Sequence, residues 1–242
     1  MQTTICLSLG GRGGVGKTLS LVAIADYLRT NNYKIAAVDC DTENAGKSSC
    51  FAHWFGGKAA CLNLRNPFDC DKLLESSASS DSPYVLADLP ANSSGDVAAW
   101  FQDVATPETI HAMGLNIIAV GAVAPHPGAA ESVVDWMSAL GNRATYLVVL
   151  NRIAFEAAPR PREDAFHDWF LVRETGMPVQ TIEMPYLQSH AMEALVKLGK
   201  LPSTSIKAAD LPILVRQRVK TWRDKIHSQL DSTALFNHKD SK

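Results

Sequence analysis

Near-continuous apolar runs alternate with stretches of helical periodicity along the 242 residues of this chain. Six apolar runs predict β-strands, at residues 3–9, 34–38, 84–87, 115–123, 145–150 and 179–184. Apolar residues at helical spacing lie between them, for example at 18–29, 129–140 and 162–175. Strands that lack polar alternation are buried on both faces. This order therefore predicts an α/β fold, with a mostly parallel sheet covered by helices on both faces.

Polar stretches separate these elements without dividing the chain. Residues 76–82 and 157–162 predict surface loops, and neither resembles a domain linker. The chain is long for one domain, but α/β sheets often reach this size. We therefore expect a single domain over residues 1–242.

The composition predicts a cytoplasmic protein. Apolar residues make up 46% of the chain, which is ample for a core. No apolar run reaches the roughly 18 residues of a transmembrane helix. The first strand begins almost at once, which leaves no room for a signal peptide. The five cysteines form no CxxC pair and fit reduced thiols better than disulfides or a metal site.

A glycine-rich loop, Gly-Gly-Arg-Gly-Gly-Val-Gly-Lys-Thr at residues 10–18, joins the first strand to the first helix. Its Gly11, Gly16, Lys17 and Thr18 have the Walker A spacing of a phosphate-binding loop. Glycines let backbone N–H groups converge on an anion, and the helix N-terminus adds its own N–H groups and positive dipole. Lys17 can reach the β- and γ-phosphates, and the Thr18 hydroxyl can bind Mg²⁺. A glycine-rich turn that binds nothing is the alternative.

Polar side chains follow several predicted strands at their carboxyl ends, where parallel sheets bind ligands. Asp88 ends the strand at 84–87, as a Walker B aspartate does, although an aspartate there can also cap a turn. Asp39 and Asp41 follow the strand at 34–38 and point the same way if the chain stays extended. One can orient metal-bound water and the other the attacking water. The Asn151 amide can hydrogen-bond a base edge.

Taken together, these motifs resemble the ParA/MinD group of P-loop ATPases, whose variant Walker A reads KGGxGK[ST]. Residues 12–18 match that string, with arginine in place of the first lysine. Later motifs follow in the order of the family: Asp39 and Asp41, Asp88 with Pro90, Asn151 with Arg152, and the Pro-Tyr stretch at 185–194. The resemblance covers about residues 2–200 and implies a P-loop ATPase domain.

The resemblance also implies a function for each matching residue. Nucleotide contacts are implied for Gly11, Gly13, Gly14, Val15, Gly16, Lys17, Thr18 and Leu19, and adenine contacts for Asn151, Pro185 and Tyr186. Thr18 and Asp88 would bind Mg²⁺, with Asp39 supporting the metal shell. Asp41 would position the hydrolytic water, while Lys17 would bind the β- and γ-phosphates.

Arg12 occupies the place of the family's first lysine, which reaches across an ATP-bound dimer to the partner's phosphates. The resemblance therefore implies an ATP-dependent homodimer and a catalytic Arg12. Arginine keeps the charge and offers a planar fork suited to phosphate oxygens, but it is bulkier than lysine. Arg12 as a solvated loop cation is the alternative.

The C-terminal segment 200–242 has nine Lys or Arg against four Asp or Glu. It predicts a basic amphipathic helix at about 210–230, with apolar positions Leu211, Leu214, Val219, Trp222, Ile226 and Leu230. Arg216, Lys220 and Arg223 lie on another face. They can neutralise DNA phosphates without reading sequence, or they can form an ordinary solvated face.

Within the group, the stretches at 38–45 and 216–225 resemble the TraL-type ATPases of conjugative plasmids and mobile elements. This resemblance implies a slow, partner-stimulated ATPase that switches with its nucleotide and serves DNA transfer or partition, with DNA or a conjugation or partition protein as partner. The tail at 234–242 has too few apolar residues for a membrane anchor. A positioning ATPase independent of plasmid and chromosome, or an ATP-dependent metabolic enzyme on the same fold, is the alternative.

Overall fold

The computed structural model describes residues 2–10, 13–42, 46–47, 50–91, 94–125, 128–152 and 169–236. Seven parallel strands form one sheet in these ranges, in the order β3-β2-β4-β1-β5-β6-β7. Their bounds are β1 Thr3–Leu9, β2 Ile35–Asp39, β3 Ala60–Cys61, β4 Tyr84–Asp88, β5 Leu115–Val123, β6 Thr145–Asn151 and β7 Val179–Met184. The glycine-rich loop leaves β1, the central strand, which places it between the ends of β4 and β5.

Helices connect the strands and cover the sheet. They are α1 Lys17–Thr30, α2 Pro67–Ala78, α3 Ser94–Asp103, α4 Pro107–Ala112, α5 Ala129–Leu140, α6 Trp169–Glu174, α7 Ser189–Leu198, α8 Pro202–Ser205 and α9 Ile213–Thr233. Short 3₁₀ turns lie at Phe51–Trp54 and Gly141–Arg143. Side-chain caps start two of the helices: Asn66 accepts from the Phe68 amide at α2, and Thr106 accepts from the Thr109 amide at α4.

Two hydrophobic cores lie on opposite faces of the sheet. One contains residues of α2, α3, α4 and α5, including the buried Trp136. The other contains residues of α1, α7 and α9, including the buried Trp222. Helices on both faces of a parallel sheet confirm the predicted fold class, and the continuous apolar strands are explained by this burial on two sides.

Most predicted elements are present, and the differences have local causes. β3 has only two residues, too few for a pattern to reveal. Residues 76–78 continue α2 instead of starting the predicted loop at 76–82. The Ser76 and Ser77 hydroxyls donate to carbonyls of the preceding turn, so both are satisfied within the helix. The predicted loop at 157–162 lies outside the described residues. Of the predicted helix at 162–175, the described part contains α6.

The C-terminal helix α9 starts and ends about three residues later than the predicted range of about 210–230, and one of its predicted apolar positions is wrong. Leu214 is 70% exposed, whereas Val215 is buried. The buried positions of α9 run through Val219, Trp222, Ile226 and Leu230 at spacings of three and four, and Val215 fits that series. Leu214 lies one residue away and faces solvent.

Two further features agree with the sequence. All five cysteines are free thiols. Across the described part of the chain, every helix is too short or too polar to span a bilayer.

Gly121 allows α5 to approach the sheet closely. A Cβ on Gly121 would lie 2.7 Å from Cγ1 of Val133, a buried side chain of α5. We predict that Gly121→Ala lowers the free energy of unfolding by about 1–3 kcal/mol, as overpacking does in other cores. Urea denaturation measures this change.

Gly95→Ala on α3 is the matched control, since its added methyl meets no atom within 4 Å. Adding Val133→Ala to Gly121→Ala should recover part of the lost stability because it removes the clashing methyl groups. Equal stability of Gly121→Ala and the wild-type protein would contradict this packing.

Candidate functional site

The glycine-rich loop turns sharply before α1. Gly14 and Gly16 have φ angles of 77° and 100°, in the left-handed region that favours glycine. A Cβ on Gly16 would lie 2.2 Å from the Asn151 amide nitrogen. Glycine is therefore required at residue 16 both for its backbone conformation and for the close approach of β6. The predicted contacts at Gly11 and Arg12 lie outside the described residues.

Lys17 begins α1, and its side chain is only 8% exposed. Burial lowers the pKa of Lys17, while the nearby carboxylates of Asp88 and Asp41 act in the opposite direction. The buried ammonium therefore lies beside the helix N-terminus, where backbone N–H groups and the helix dipole also favour an anion. This is the arrangement that a nucleotide phosphate needs.

Asp88, the last residue of β4, is buried and accepts two side-chain hydrogen bonds. Its Oδ1 accepts from the Ser8 hydroxyl at 2.7 Å, and its Oδ2 accepts from the Thr18 hydroxyl at 2.5 Å. Burial raises the pKa of Asp88 to about 6, although both hydrogen bonds and Lys17 oppose the rise. The carboxylate thus joins β1, β4 and the start of α1.

The donors at this point fit Mg²⁺. A hydroxyl and a carboxylate oxygen face each other, and hard cations prefer oxygen ligands. Among the described residues, no group of three or more His, Cys, Asp or Glu side chains could hold a metal by itself. Because Mg²⁺ usually takes one or two carboxylates together with phosphate oxygens and water, Thr18 and Asp88 fit a site that a nucleotide completes.

Asp39 and Asp41 lie beside this cluster on β2 and just after it. Asp39 pairs with Asp88 in the sheet register and is 4% exposed. Its Oδ1 accepts from the Asp41 amide at 3.1 Å, and its Oδ2 accepts from the Ala52 amide at 2.8 Å. Asp39 therefore ties the segment after β2 to the 3₁₀ turn at Phe51–Trp54. Its support of a metal shell stays a prediction.

The groups predicted to hold adenine lie at the ends of two paired strands, since Asn151 of β6 pairs with Met184 of β7, but their side chains have different surroundings. Asn151, at the end of β6, is buried, and its amide nitrogen donates to the Val15 carbonyl at 2.8 Å. This hydrogen bond fixes the glycine-rich loop to the end of β6. Pro185 and Tyr186 instead line an open groove of about 670 Å³ between the end of β7 and α9. The Pro185 carbonyl accepts from the Trp222 indole at 2.8 Å.

The three cations predicted to contact DNA are not equivalent. Lys220 and Arg223 both form ion pairs with Asp224, at 2.6 Å for the lysine ammonium. Arg223 also donates to the Ser203 hydroxyl at 3.2 Å. Arg216 is half-buried. Asp224 thus offsets part of the charge of the predicted stripe.

Sequence reasoning missed Ser8. It follows the apolar residues 5–7 of β1, and its hydroxyl both donates to Asp88 and accepts from the Leu89 amide at 2.8 Å. A polar residue near the carboxyl end of a buried central strand is the signal that could have revealed it.

The burial of Asp88 should make the free energy of unfolding depend on pH in the protein without nucleotide or metal. The pKa of Asp88 is about 6 in the folded chain, above its ordinary value of 3.8, so the folded state binds the proton more tightly. The contribution of Asp88 to stability therefore falls as pH rises from about 4 to 6. Asp88→Asn removes the buried charge and should stabilise the protein at pH 7.5 by about 1–3 kcal/mol.

Urea denaturation in EDTA at pH 4.5, 6 and 7.5 measures the difference between the variant and the wild-type protein. The gain in free energy of unfolding of Asp88→Asn over the wild-type protein should be small at pH 4.5 and level off above pH 6. Asp135→Asn, at an exposed position on α5, is the control and should change little. A variant that is less stable than wild type at pH 7.5 would contradict the cost of this buried charge.

Comparison with known proteins assigns this chain to a family. Residues 7–154 match the CbiA family model, described as the CobQ/CobB/MinD/ParA nucleotide binding domain. The chain has no significant match among curated protein sequences.

Three solved structures have a similar fold. A chain of the MinC:MinD cell division protein complex of Aquifex aeolicus is 16% identical, with a TM-score of 0.57 and 96% of each chain covered. A putative plasmid partition protein from Borrelia burgdorferi B31, bound to AMPPNP, is 13% identical, with a TM-score of 0.54 and coverage of 96% of this chain and 100% of that one. A nucleotide-binding protein from Archaeoglobus fulgidus, in complex with ADP, is 18% identical, with a TM-score of 0.51 and coverage of 81% and 86%.

These identities support the fold alone, whereas the family model covers more than half of the chain. The chain belongs to the CobQ/CobB/MinD/ParA family of nucleotide-binding domains.

Proposed function

We propose that this protein is a cytoplasmic, Mg²⁺-dependent ATPase that changes conformation with its nucleotide and dimerises on ATP. The observation that carries the proposal is the contact between Thr18 and Asp88, 2.5 Å long, beside the buried Lys17 at the start of α1. A hydroxyl, a carboxylate and an ammonium at the mouth of a glycine-rich loop are the groups that bind a metal–phosphate complex. The free cysteines fit a reducing compartment.

Each of these side chains has a distinct task in the proposed reaction. Lys17 and the backbone N–H groups of the loop bind and orient the phosphates. Thr18 and Asp88 hold Mg²⁺, which when bound neutralises charge on the phosphate oxygens. Asp41 lies close enough to influence the pKa of Lys17 and is the carboxylate that we assign to positioning the attacking water.

Two sets of contacts support a conformational switch. Asp39 connects the end of β2 to the turn at Phe51–Trp54, so a movement of Asp41 on nucleotide binding can reach that turn. On the other side, buried Asp26 of α1 accepts from the Ser203 amide and hydroxyl at 2.8 and 2.7 Å. His227 of α9 lies 3.1 Å from the same carboxylate.

The helix that binds phosphate is thereby linked to α8 and α9. Tyr27 adds a second link, because its hydroxyl donates to Asp231 of α9 at 2.8 Å. A small shift of α1 on phosphate binding can therefore change the position of the basic C-terminal helix. Two alternative ways of packing α1 against α8 and α9, one with and one without bound phosphate, would provide the two states of a switch.

Dimerisation and the cellular process are the finer parts of the proposal. Arg12 would reach the partner's phosphates, as the resemblance to the ParA/MinD group implies. The solved structures with a similar fold include a putative plasmid partition protein bound to AMPPNP and a MinC:MinD cell division protein complex, which supports a nucleotide and a protein partner for this chain. We assign the protein to transfer or partition of plasmid or mobile-element DNA, as in the TraL-type ATPases, with a conjugation or partition protein as its partner.

We also propose that α9 contacts DNA, where Asp224 offsets part of the charge of the helix by pairing with Lys220 and Arg223. The excess of basic residues over acidic ones in segment 200–242 supports it. Adenine would be held at the groove of Pro185 and Tyr186, with Asn151 beside the loop.

Two substitutions separate nucleotide binding from hydrolysis. Lys17→Ala removes the phosphate-binding ammonium and should lower ATP affinity at least about a hundredfold. Asp41→Ala leaves the phosphate contacts in place, so it should bind ATP normally while turnover falls by roughly a hundredfold or more and the ATP-bound dimer accumulates. Isothermal titration calorimetry, phosphate release and analytical ultracentrifugation measure these three properties.

Asp135→Ala, on the exposed side of α5, is the matched control for loss of a carboxylate. Unchanged ATP affinity in Lys17→Ala would overturn the assignment of the loop. Undiminished turnover in Asp41→Ala would remove that residue from the mechanism. Turnover that responds to a small carboxylate substrate, and not to DNA or a protein partner, would favour a metabolic enzyme.

A further inference from the structure

We propose that Ser8 is a positioning residue for the Mg²⁺-binding carboxylate of Asp88. The inference rests on the proposed function, because it concerns how tightly the site holds its metal with nucleotide. Ser8 itself lies beneath the site, in the central strand, and acts only through Asp88.

The environment of Ser8 makes an unsatisfied hydroxyl there costly. Every residue of β1 is buried, and Ser8 is 0% exposed. β1 is flanked by β4 and β5, and helices pack on both faces of the sheet at this strand, so the hydroxyl has no access to solvent. A buried hydroxyl requires hydrogen-bond partners, and Ser8 has two, the Asp88 carboxylate and the Leu89 amide.

These two bonds extend the pairing of β1 with β4 beyond the backbone ladder. The register of the two strands runs to Leu7 paired with Ala87. The Ser8 hydroxyl accepts from the Leu89 amide at 2.8 Å and donates to Asp88 Oδ1 at 2.7 Å. It therefore holds both the backbone just after β4 and the side chain at the end of β4.

Holding one carboxylate oxygen determines the direction of the other. With Oδ1 bound to Ser8, the Oδ2 atom of Asp88 points to the Thr18 hydroxyl, 2.5 Å away. Without the Ser8 bond the carboxylate can rotate about its χ2 torsion, which is a broad torsion in aspartate. Ser8 thus keeps Oδ2 on the side where Mg²⁺ and the phosphates would lie.

The experiment compares nucleotide binding with and without Mg²⁺. A fluorescent, non-hydrolysable ATP analogue is titrated with Ser8→Ala, Ser8→Thr and wild-type protein, first in EDTA and then at increasing Mg²⁺. Ser77→Ala is the matched control, because Ser77 is also a buried serine but bonds to the Leu73 carbonyl of α2. Fluorescence anisotropy gives the affinity and the half-saturating Mg²⁺ concentration.

We expect Ser8→Ala to raise the half-saturating Mg²⁺ concentration about tenfold to a hundredfold, as loss of a group that orients a metal ligand does. Its affinity for the analogue in EDTA should stay within about twofold of wild type, since the Lys17 and loop contacts remain. Ser8→Thr keeps the hydroxyl and should restore most of the Mg²⁺ response. Ser77→Ala should match wild type in both conditions.

The outcomes separate the inference from the proposed function. A wild-type Mg²⁺ midpoint in Ser8→Ala would overturn the positioning role. So would an equal loss of affinity with and without Mg²⁺, because a general defect of the loop has that signature. If wild-type protein binds the analogue without any dependence on Mg²⁺, the proposed function fails, and the inference fails with it.

Discussion

A single buried carboxylate, that of Asp88, connects the parts of the molecule on which the proposed nucleotide binding depends. Asp88 ends β4. Its carboxylate accepts one hydrogen bond from the Ser8 hydroxyl of β1 and one from the Thr18 hydroxyl of α1. Burial makes its charge costly, as the rise of its pKa to about 6 indicates. The fold thus buries a charged carboxylate, at a cost in stability, at the point where a cation and phosphates would bind. Ionisable groups with shifted pKa values are common in sites for charged ligands.

The parallel sheet makes this arrangement possible. All seven strands of the described region run in one direction, so their carboxyl ends meet at one edge and bring Asp39, Asp88 and Asn151 close to the glycine-rich loop. Side-chain hydrogen bonds and ion pairs then connect the site to more distant parts of the molecule. Buried Asp26 ties α1 to Ser203 and His227, and Asp39 ties β2 to the turn at Phe51–Trp54. The proposed switch needs no long-range mechanism beyond these direct contacts.

Much of the architecture could be predicted because strands buried on both faces are continuously apolar and helices keep their own period. The proximity of Lys17, Thr18 and Asp88 followed from the same topology. Contacts made by side chains across the sheet could not be predicted in this way. The Asn151 amide nitrogen donates to the Val15 carbonyl, and both Asp39 oxygens accept from backbone amides. Such details depend on distances of a few tenths of an ångström, which periodicity does not encode. Leu214 shows the same limit on a helix, where one residue separates a buried position from an exposed one.

The most direct test of the account is a crystal structure of the protein with a non-hydrolysable ATP analogue and Mg²⁺. We expect the triphosphate in the loop at residues 10–18, the γ-phosphate within reach of Lys17, and the cation bound to the Thr18 hydroxyl on the side of Asp88 Oδ2. The bond from Ser8 to Asp88 Oδ1 should remain. A nucleotide bound elsewhere, or a cation distant from both Thr18 and Asp88, would contradict it.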